Sequence, residues 1–339
     1  MLLALVADWS GPVFLAACAG LGSSFLWGLG CLMFDRVQAR PPGAVGQSVA
    51  PPTAAGMNLF KNTLCALVLG LVLAIGLSLG GGGGELALPA GGAFWILALT
   101  GVVGFAIGDS LYFAAFPKAG VRVTAMVGTL IPVLAGLMSW LFLDRTFGAA
   151  TWLWMAVVLV GISMVVLDPV GRPSEEPGGS GRDRWVGLAL ALGSAVSQAV
   201  GIVLAFGAFE GVGVIPGTIS RLLGGIIAAL VIGAGAGLLR GSRGVAGELG
   251  ELVRPLRTPA LVRMLAPAAF VATILSLPLH SAATRGAPPQ ISALVLATSP
   301  LFILPLGRFF GARHGALSVV GTLIGLVGVA GVLRLTMPS

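Results

Sequence analysis

The chain has 339 residues, of which 57 % are apolar and only 9 % charged, and its formal net charge is +7. A soluble domain carries about 25 % charged residues, so this composition excludes a water-exposed globular surface and indicates a membrane protein. The basic residues are scattered over short segments, with no basic domain or aromatic-interleaved patch, which excludes nucleic-acid recognition and leaves them as topology signals.

A helix needs about 20 apolar residues to cross the hydrocarbon. Ten stretches qualify: 12–34, 58–79, 93–116, 123–143, 150–167, 185–207, 213–239, 264–284, 288–307 and 315–333. The expected fold is therefore an all-α integral membrane protein with ten transmembrane helices. The first stretch has no basic n-region and no clear cleavage site, so it reads as a retained span. Segment 35–57 is Pro/Gly-rich and residues 80–84 are a glycine run, and both read as connectors. Residues 168–184, DPVGRPSEEPGGSGRDR, form a polar linker that divides the chain into a first unit, 1–167, and a second, 185–339. Segment 244–263 alternates apolar and basic residues and suits the membrane surface, with Pro255 and Pro259 preventing one long helix. Cys18, Cys31 and Cys65 form no CxxC or Cys/His pair and read as small core residues, so no metal or cofactor is expected.

The two units resemble each other. Setting Pro132 on Pro300 aligns Tyr112 with His280, Ala115 with Ala283, Thr124 with Ser292, Ala125 with Ala293 and Arg145 with Arg313. The closing spans run GISMVVL (161–167) and GVAGVLR (328–334). Spans one and six carry a matching face, Ser23 with Ser194, Trp27 with Gln198 and Gly30 with Gly201. Five spans per unit is an odd number, so the copies are expected to be inverted around a central cavity. Connections one, three, five, seven and nine hold fourteen Lys and Arg, against three on the opposite side. The positive-inside rule then places those connections in the cytoplasm and both termini outside.

Charged groups within a bilayer cost at least about 2.5 kcal/mol each by insertion scales. Asp109 is the one carboxylate well inside a span, and its repeat partner is Leu277. Three readings stand for it: an ion pair with Lys61 or Arg221 that holds the bundle, a proton-coupling or cation-binding group, or a surface position. Lys61 and Arg221 occupy equivalent places in spans two and seven; each either snorkels, pairs structurally or lines the cavity, and if both point inward they lie at its opposite ends. Thr273, Ser276, His280 and Thr284 are spaced three, four and four apart, so they share one helical face. His280 is either a hydrogen-bonded core group or one that meets substrate or titrates. Ser194, Ser197 and Gln198 form a second polar patch, beside which small residues allow close helix contact. Trp27, Tyr112 and Gln198 are large enough to reach a ligand. Pro132 and Pro300 press on the carbonyls of Gly128 and Leu296, giving a kink, a hinge for alternating access, or both.

The stretch LYFAAFPKAGVRVTAMVGTLIPVLAGLMSWLFLDRTFGAATWLWMAVVLVGISMVVL (111–167) carries an aromatic near the end of span three, a central proline in span four and an acidic-basic turn before a glycine-containing span five. With the basic residues in NLFKNTLCALVLG and TISRLLGGIIAAL, the chain resembles EamA-like transporters of the drug/metabolite transporter superfamily. The turn is Asp144-Arg145 where that family usually has Gly-Glu. The resemblance implies a ten-helix bundle around a central cavity and export of small organic metabolites across the cytoplasmic membrane, by a monomer or homodimer. Relatives are commonly drawn with cytoplasmic termini, opposite to the charge count. There is no Walker motif, so proton or solute exchange is left as the energy source. An embedded enzyme would need clustered His, Asp or Glu, whereas the chain has two histidines, with His314 in a connection. A lone intramembrane carboxylate also argues against an aspartyl protease, which needs two. A channel or scaffold is the alternative to a transporter. An apolar cavity with few polar groups and one or two cations suits an amphipathic metabolite, with or without a carboxylate, and also suits many others.

Overall fold

The computed structural model describes residues 11–39, 49–80, 84–143, 149–168, 181–205, 207–240, 244–287, 292, 293, 295, 297–311 and 315–336. Asp144, Arg145, Arg313, His314 and most of the polar linker lie outside the described residues.

The described residues are helical, with no strand among them. Helix α1 spans Gly11–Gln38 and α2 Ala54–Ser78. α3 (Gly91–Thr100) runs through a π-helical stretch, Gly101–Gly108, into α4 (Asp109–Ala119). α5 (Val121–Gly128) and α6 (Ile131–Leu143) are followed by α7 (Ala149–Leu167). The second half contains α8 (Gly181–Ala205), α9 (Val214–Arg240), α10 (Gly244–Arg257) and α11 (Pro259–Ala269). A second π-helical stretch, Phe270–Leu275, leads into α12 (Ser276–Gly286), and α13 (Ser299–Phe309) and α14 (Ala316–Thr336) complete the chain.

Among the described residues, seven helices are long and apolar enough to cross a membrane: Cys18–Gln38, Ala54–Ser78, Gly91–Ala119, Val121–Met138, Gly181–Ala205, Val214–Leu239 and Pro259–Gly286. α7, α13 and α14 occupy the places read as spans five, nine and ten. The amphipathic segment divides at one of its two prolines, Pro259, whereas Pro255 is accommodated inside α10. Thr258 is extended between α10 and α11, and Pro259 opens α11, where its missing N–H leaves nothing unpaired. α11 then continues to Gly286, so this span starts five residues earlier than its hydropathy indicates, at Pro259 rather than 264.

The prolines of the repeat act as helix starts. A turn at Thr129 and Leu130 separates α5 from α6, with Pro132 in the first turn of α6. A turn at Ala297 and Thr298 precedes α13, with Pro300 in its first turn. Two of these turns' carbonyls still receive donors, because the Thr129 hydroxyl donates to Met126 O at 2.7 Å and the Thr298 hydroxyl to Val295 O at 2.6 Å. The two π-helical stretches likewise fall at equivalent places, just before Asp109 and just before Ser276.

Packing crosses the two halves in matched pairs. α1 lies on α11–α12, with Gly30 against the backbone of Ala272, and α8 lies on α3–α4, with Gly201 against Gly104. α7 packs on α14 through Gly161, Gly325 and Gly328, which let the backbones approach closely.

Connections also meet one another in two groups. Arg36 stacks on the Phe310 ring at 4.5 Å, and Arg254 donates to Ala50 O at 3.1 Å and Pro51 O at 2.7 Å. Lys118 pairs with Asp183 at 3.2 Å, and Asp168 accepts the Ser318 amide at 2.9 Å, capping α14. All four contacts join odd-numbered connections or the helix ends flanking them. The even set has a bidentate pair in which Arg285 donates to both Glu85 oxygens, at 2.7 and 2.6 Å. Those hydrogen bonds hold the Glu85 carboxyl below its usual value.

Candidate functional site

Span two carries Asn58, Lys61 and Asn62 at spacings of three and four, so all three face the same way. They face the first π-helical stretch. A π turn disturbs the regular carbonyl ladder, and neighbouring side chains supply donors there. Asn58 donates to Phe105 O and, at 2.9 Å, to the Ser110 hydroxyl. From the other side Gln198 of α8 donates to Gly104 O at 3.3 Å. The second π-helical stretch receives the Cys65 thiol at Thr273 O, 3.7 Å.

Asp109 follows the first π stretch, and both its oxygens are engaged. Lys61 Nζ lies 2.7 Å from Oδ2, and Gln198 donates to Oδ1 at 2.7 Å. Lys61 also donates to Asn62 Oδ1 at 2.8 Å, and Asn62 donates to Asn58 Oδ1 at 3.1 Å. The pair is deeply buried, with side-chain exposures of 2 % and 5 %. Of the three readings of Asp109, the geometry contains the ion pair and its burial removes the surface position, and Lys61 does not snorkel.

This network forms one wall of a cavity of about 100 Å³, which has room for several waters or a small organic group. Trp27, Lys61, Asp109, Tyr112, Gln198 and His280, drawn from both halves, all line it. Trp27 and Tyr112 have ring centroids 5.9 Å apart, and the Tyr112 hydroxyl accepts from Cys31 Sγ at 3.8 Å. Opposite them Ser23 and Ser276 bond at 3.0 Å, tying α1 to α12. Leu277, the repeat partner of Asp109, also reaches the cavity, as do Ile131 and Ser299, the first residues of the two helices that follow the breaks. Pro132 and Pro300 themselves are set back by one residue.

Arg221 is the exception among the candidates. It is 1 % exposed and does not line the cavity. Its guanidinium lies 4.7 Å from the centroid of Phe105, whose other neighbour is Lys61 at 5.8 Å. The two cations expected at opposite ends of the cavity instead flank one ring. The cause is close packing: Gly101 and Gly224 let α9 approach α3 and the π stretch until backbones touch, which brings span seven beside span two. Arg221 Nε donates to the Thr100 hydroxyl at 3.0 Å, while its Nη1 has no partner among the described residues.

Asn58, Asn62 and Phe105 were not singled out from the sequence. The two asparagines were detectable as one face with Lys61. Phe105 was not, because its place between the cations depends on the π turn, which leaves no mark in hydropathy.

Residues 14–167 match the EamA-like transporter family. Protein LicB of Haemophilus influenzae is 26 % identical over 149 residues, which is 44 % of this chain and 46 % of that protein. The chain thus spans about half the length of this curated relative. A crystal structure of a protein 17 % identical to this one superposes with a TM-score of 0.58, covering 95 % of this chain and 97 % of that one, a likeness of fold.

Proposed function

We propose that this chain, whose residues 14–167 match the EamA-like transporter family, is a multi-pass secondary transporter of small organic metabolites working by alternating access. The observation that carries the proposal is the shared cavity: side chains from both halves converge on it, and a broken helix from each half opens onto it. In this reading the chain has ten spans in two inverted units, 1–167 and 185–339. Three matched features support the duplication: the paired π stretches, the paired helix breaks at Pro132 and Pro300, and the cross-packing of α1 on α12 and α8 on α4. The sorting of connection contacts into odd and even sets supports ten crossings.

The solute enters between Trp27, Tyr112, Gln198 and His280, and the Lys61–Asp109 pair is the group through which a proton would act. Export across the cytoplasmic membrane is the expected direction, with lipid around a monomer or homodimer. The test is flux in proteoliposomes with and without a pH gradient. Saturable, competable solute movement is expected, and Asp109→Asn and His280→Ala should alter its response to the gradient. Flux that rises linearly with solute and resists competition would identify a channel. No flux of any solute would leave a scaffold.

Orientation follows from the charge bias, fourteen basic residues against three. A C-terminal alkaline phosphatase fusion should therefore be active and a green fluorescent protein fusion dark. The reverse pattern would place the termini in the cytoplasm.

A further inference from the structure

The cavity and its surroundings hold three buried polar atoms without a hydrogen-bond partner among the described residues: Thr273 Oγ1, His280 Nε2 and Arg221 Nη1. Thr273 and His280 line the cavity directly. Arg221 stands behind Phe105, close enough for its charge to act on both His280 and Asp109. Native interiors leave few polar groups unsatisfied, and those that persist call for a missing partner.

The charges decide what that partner is. Lys61 and Asp109 neutralise each other at 2.7 Å. Arg221 has no carboxylate within 4.0 Å among the described residues, so its charge is left over. Helix dipoles do not offset it: the breaks present both a helix C-terminus, at Gly128, and helix N-termini, at Ile131 and Ser299, and opposed ends largely cancel. The region is therefore net cationic, with the Thr273 hydroxyl and His280 Nε2 facing inward. The remaining wall is aromatic and apolar, from Trp27, Phe105, Tyr112 and Leu277.

We propose that this site takes a small organic anion, a carboxylate carrying an apolar body, whose oxygens accept from the Thr273 hydroxyl and from His280 Nε2–H while Arg221 supplies the balancing charge from behind Phe105. The proposal rests on the transporter reading for its purpose and on the unsatisfied groups for its chemistry. His280 acts as the neutral ring with its proton on Nε2, one of the two forms open to it. The apolar body lies against Trp27 and Tyr112. A cationic solute would face an uncompensated arginine and two groups already committed to donation.

The experiment uses the purified full chain in detergent, with phenylacetate, its neutral analogue phenylacetamide and the cation benzylammonium as probes. Binding is read by equilibrium dialysis of labelled probe and by the thermal midpoint. Phenylacetate should bind about tenfold more tightly than phenylacetamide, as expected of a charge-assisted hydrogen bond, and benzylammonium should not bind. Arg221→Met should abolish the preference for the anion. It should also raise the midpoint of the empty protein, since it removes an unpaired buried charge, whereas an arginine needed for structure would give a lower one. Thr273→Val removes an unpartnered hydroxyl at nearly constant shape; it should fold like the wild type and weaken phenylacetate several-fold. Equal binding of the anion and the amide, preference for the cation, no binding of any probe, or an anion preference that survives Arg221→Met would each overturn the proposal. Saturable flux of cations in proteoliposomes would also overturn it while leaving the transporter reading intact. Anion binding without flux of any solute would do the opposite.

Discussion

Lys61→Met lowers stability by about 3–5 kcal/mol, and adding Asp109→Asn restores most of the loss. The single change leaves the Asp109 carboxylate buried, with Gln198 as its one remaining hydrogen-bond donor. Removing one partner of a buried pair exposes the full desolvation penalty of the other, whereas removing both charges spares it. In the double variant Gln198 keeps Gly104 O as an acceptor and Asn62 keeps its bond to Asn58. Thermal denaturation followed by size-exclusion retention gives the four corners of a double-mutant cycle. A single variant as stable as the wild type would show that the pair does not hold the bundle. The same proteins address coupling: a double variant that folds and still moves solute, but no longer responds to a pH gradient, assigns the proton to this pair.

The second large effect is expected at Gly101. A Cβ there would sit 1.7 Å from the backbone oxygen of Arg221, and one at Gly224 would sit 2.1 Å from the oxygen of Ala98. Both clashes are with backbone, so no side chain can swing away and the two helices must separate. Overpacking commonly costs about 1–3 kcal/mol, and this contact lies at or above the upper end. Gly101→Ala should therefore express poorly or unfold well below the wild type. Gly70 has open space where its Cβ would stand, and Gly70→Ala should hold or raise stability, because alanine is the better helix former by about 1 kcal/mol. Equal behaviour of the two variants would mean that α3 and α9 do not approach as closely as described.

What could be read from the sequence followed from strong local signals. The polar residues of spans six and eight were placed on shared faces by helical spacing alone; Ser194 and Gln198 of one and Thr273, Ser276 and His280 of the other line one cavity, whereas Ser197 and Thr284 do not. The prolines were recognised as interruptions because a missing N–H acts wherever it falls; that each starts a new helix was set by the preceding turns. The pairing of Asp109 with Lys61 rather than Arg221 was open in the sequence. It is decided by the depth at which spans two and seven meet the π stretch. Opposite ends of the cavity were expected for the two cations only if both point inward, and Arg221 does not line it: repeat symmetry fixes equivalent positions, but glycines 101 and 224 determine how near the helices come. Unpartnered atoms such as Arg221 Nη1 are properties of an assembled interior and have no signature in a linear chain.

The grouping of connection contacts has a consequence for how the two faces of the protein respond to their surroundings. In the proposed ten-span reading, Glu85–Arg285 belongs to one face, and Lys118–Asp183 and Arg254 with Ala50 belong to the other. Exposed ties of this kind are weakened by dissolved salt, whose screening length is about 8 Å at physiological ionic strength. The faces of a membrane protein are bathed by separate solutions. The ionic strength of each compartment thus acts on its own set of ties, and a change on one side alone shifts the balance between them.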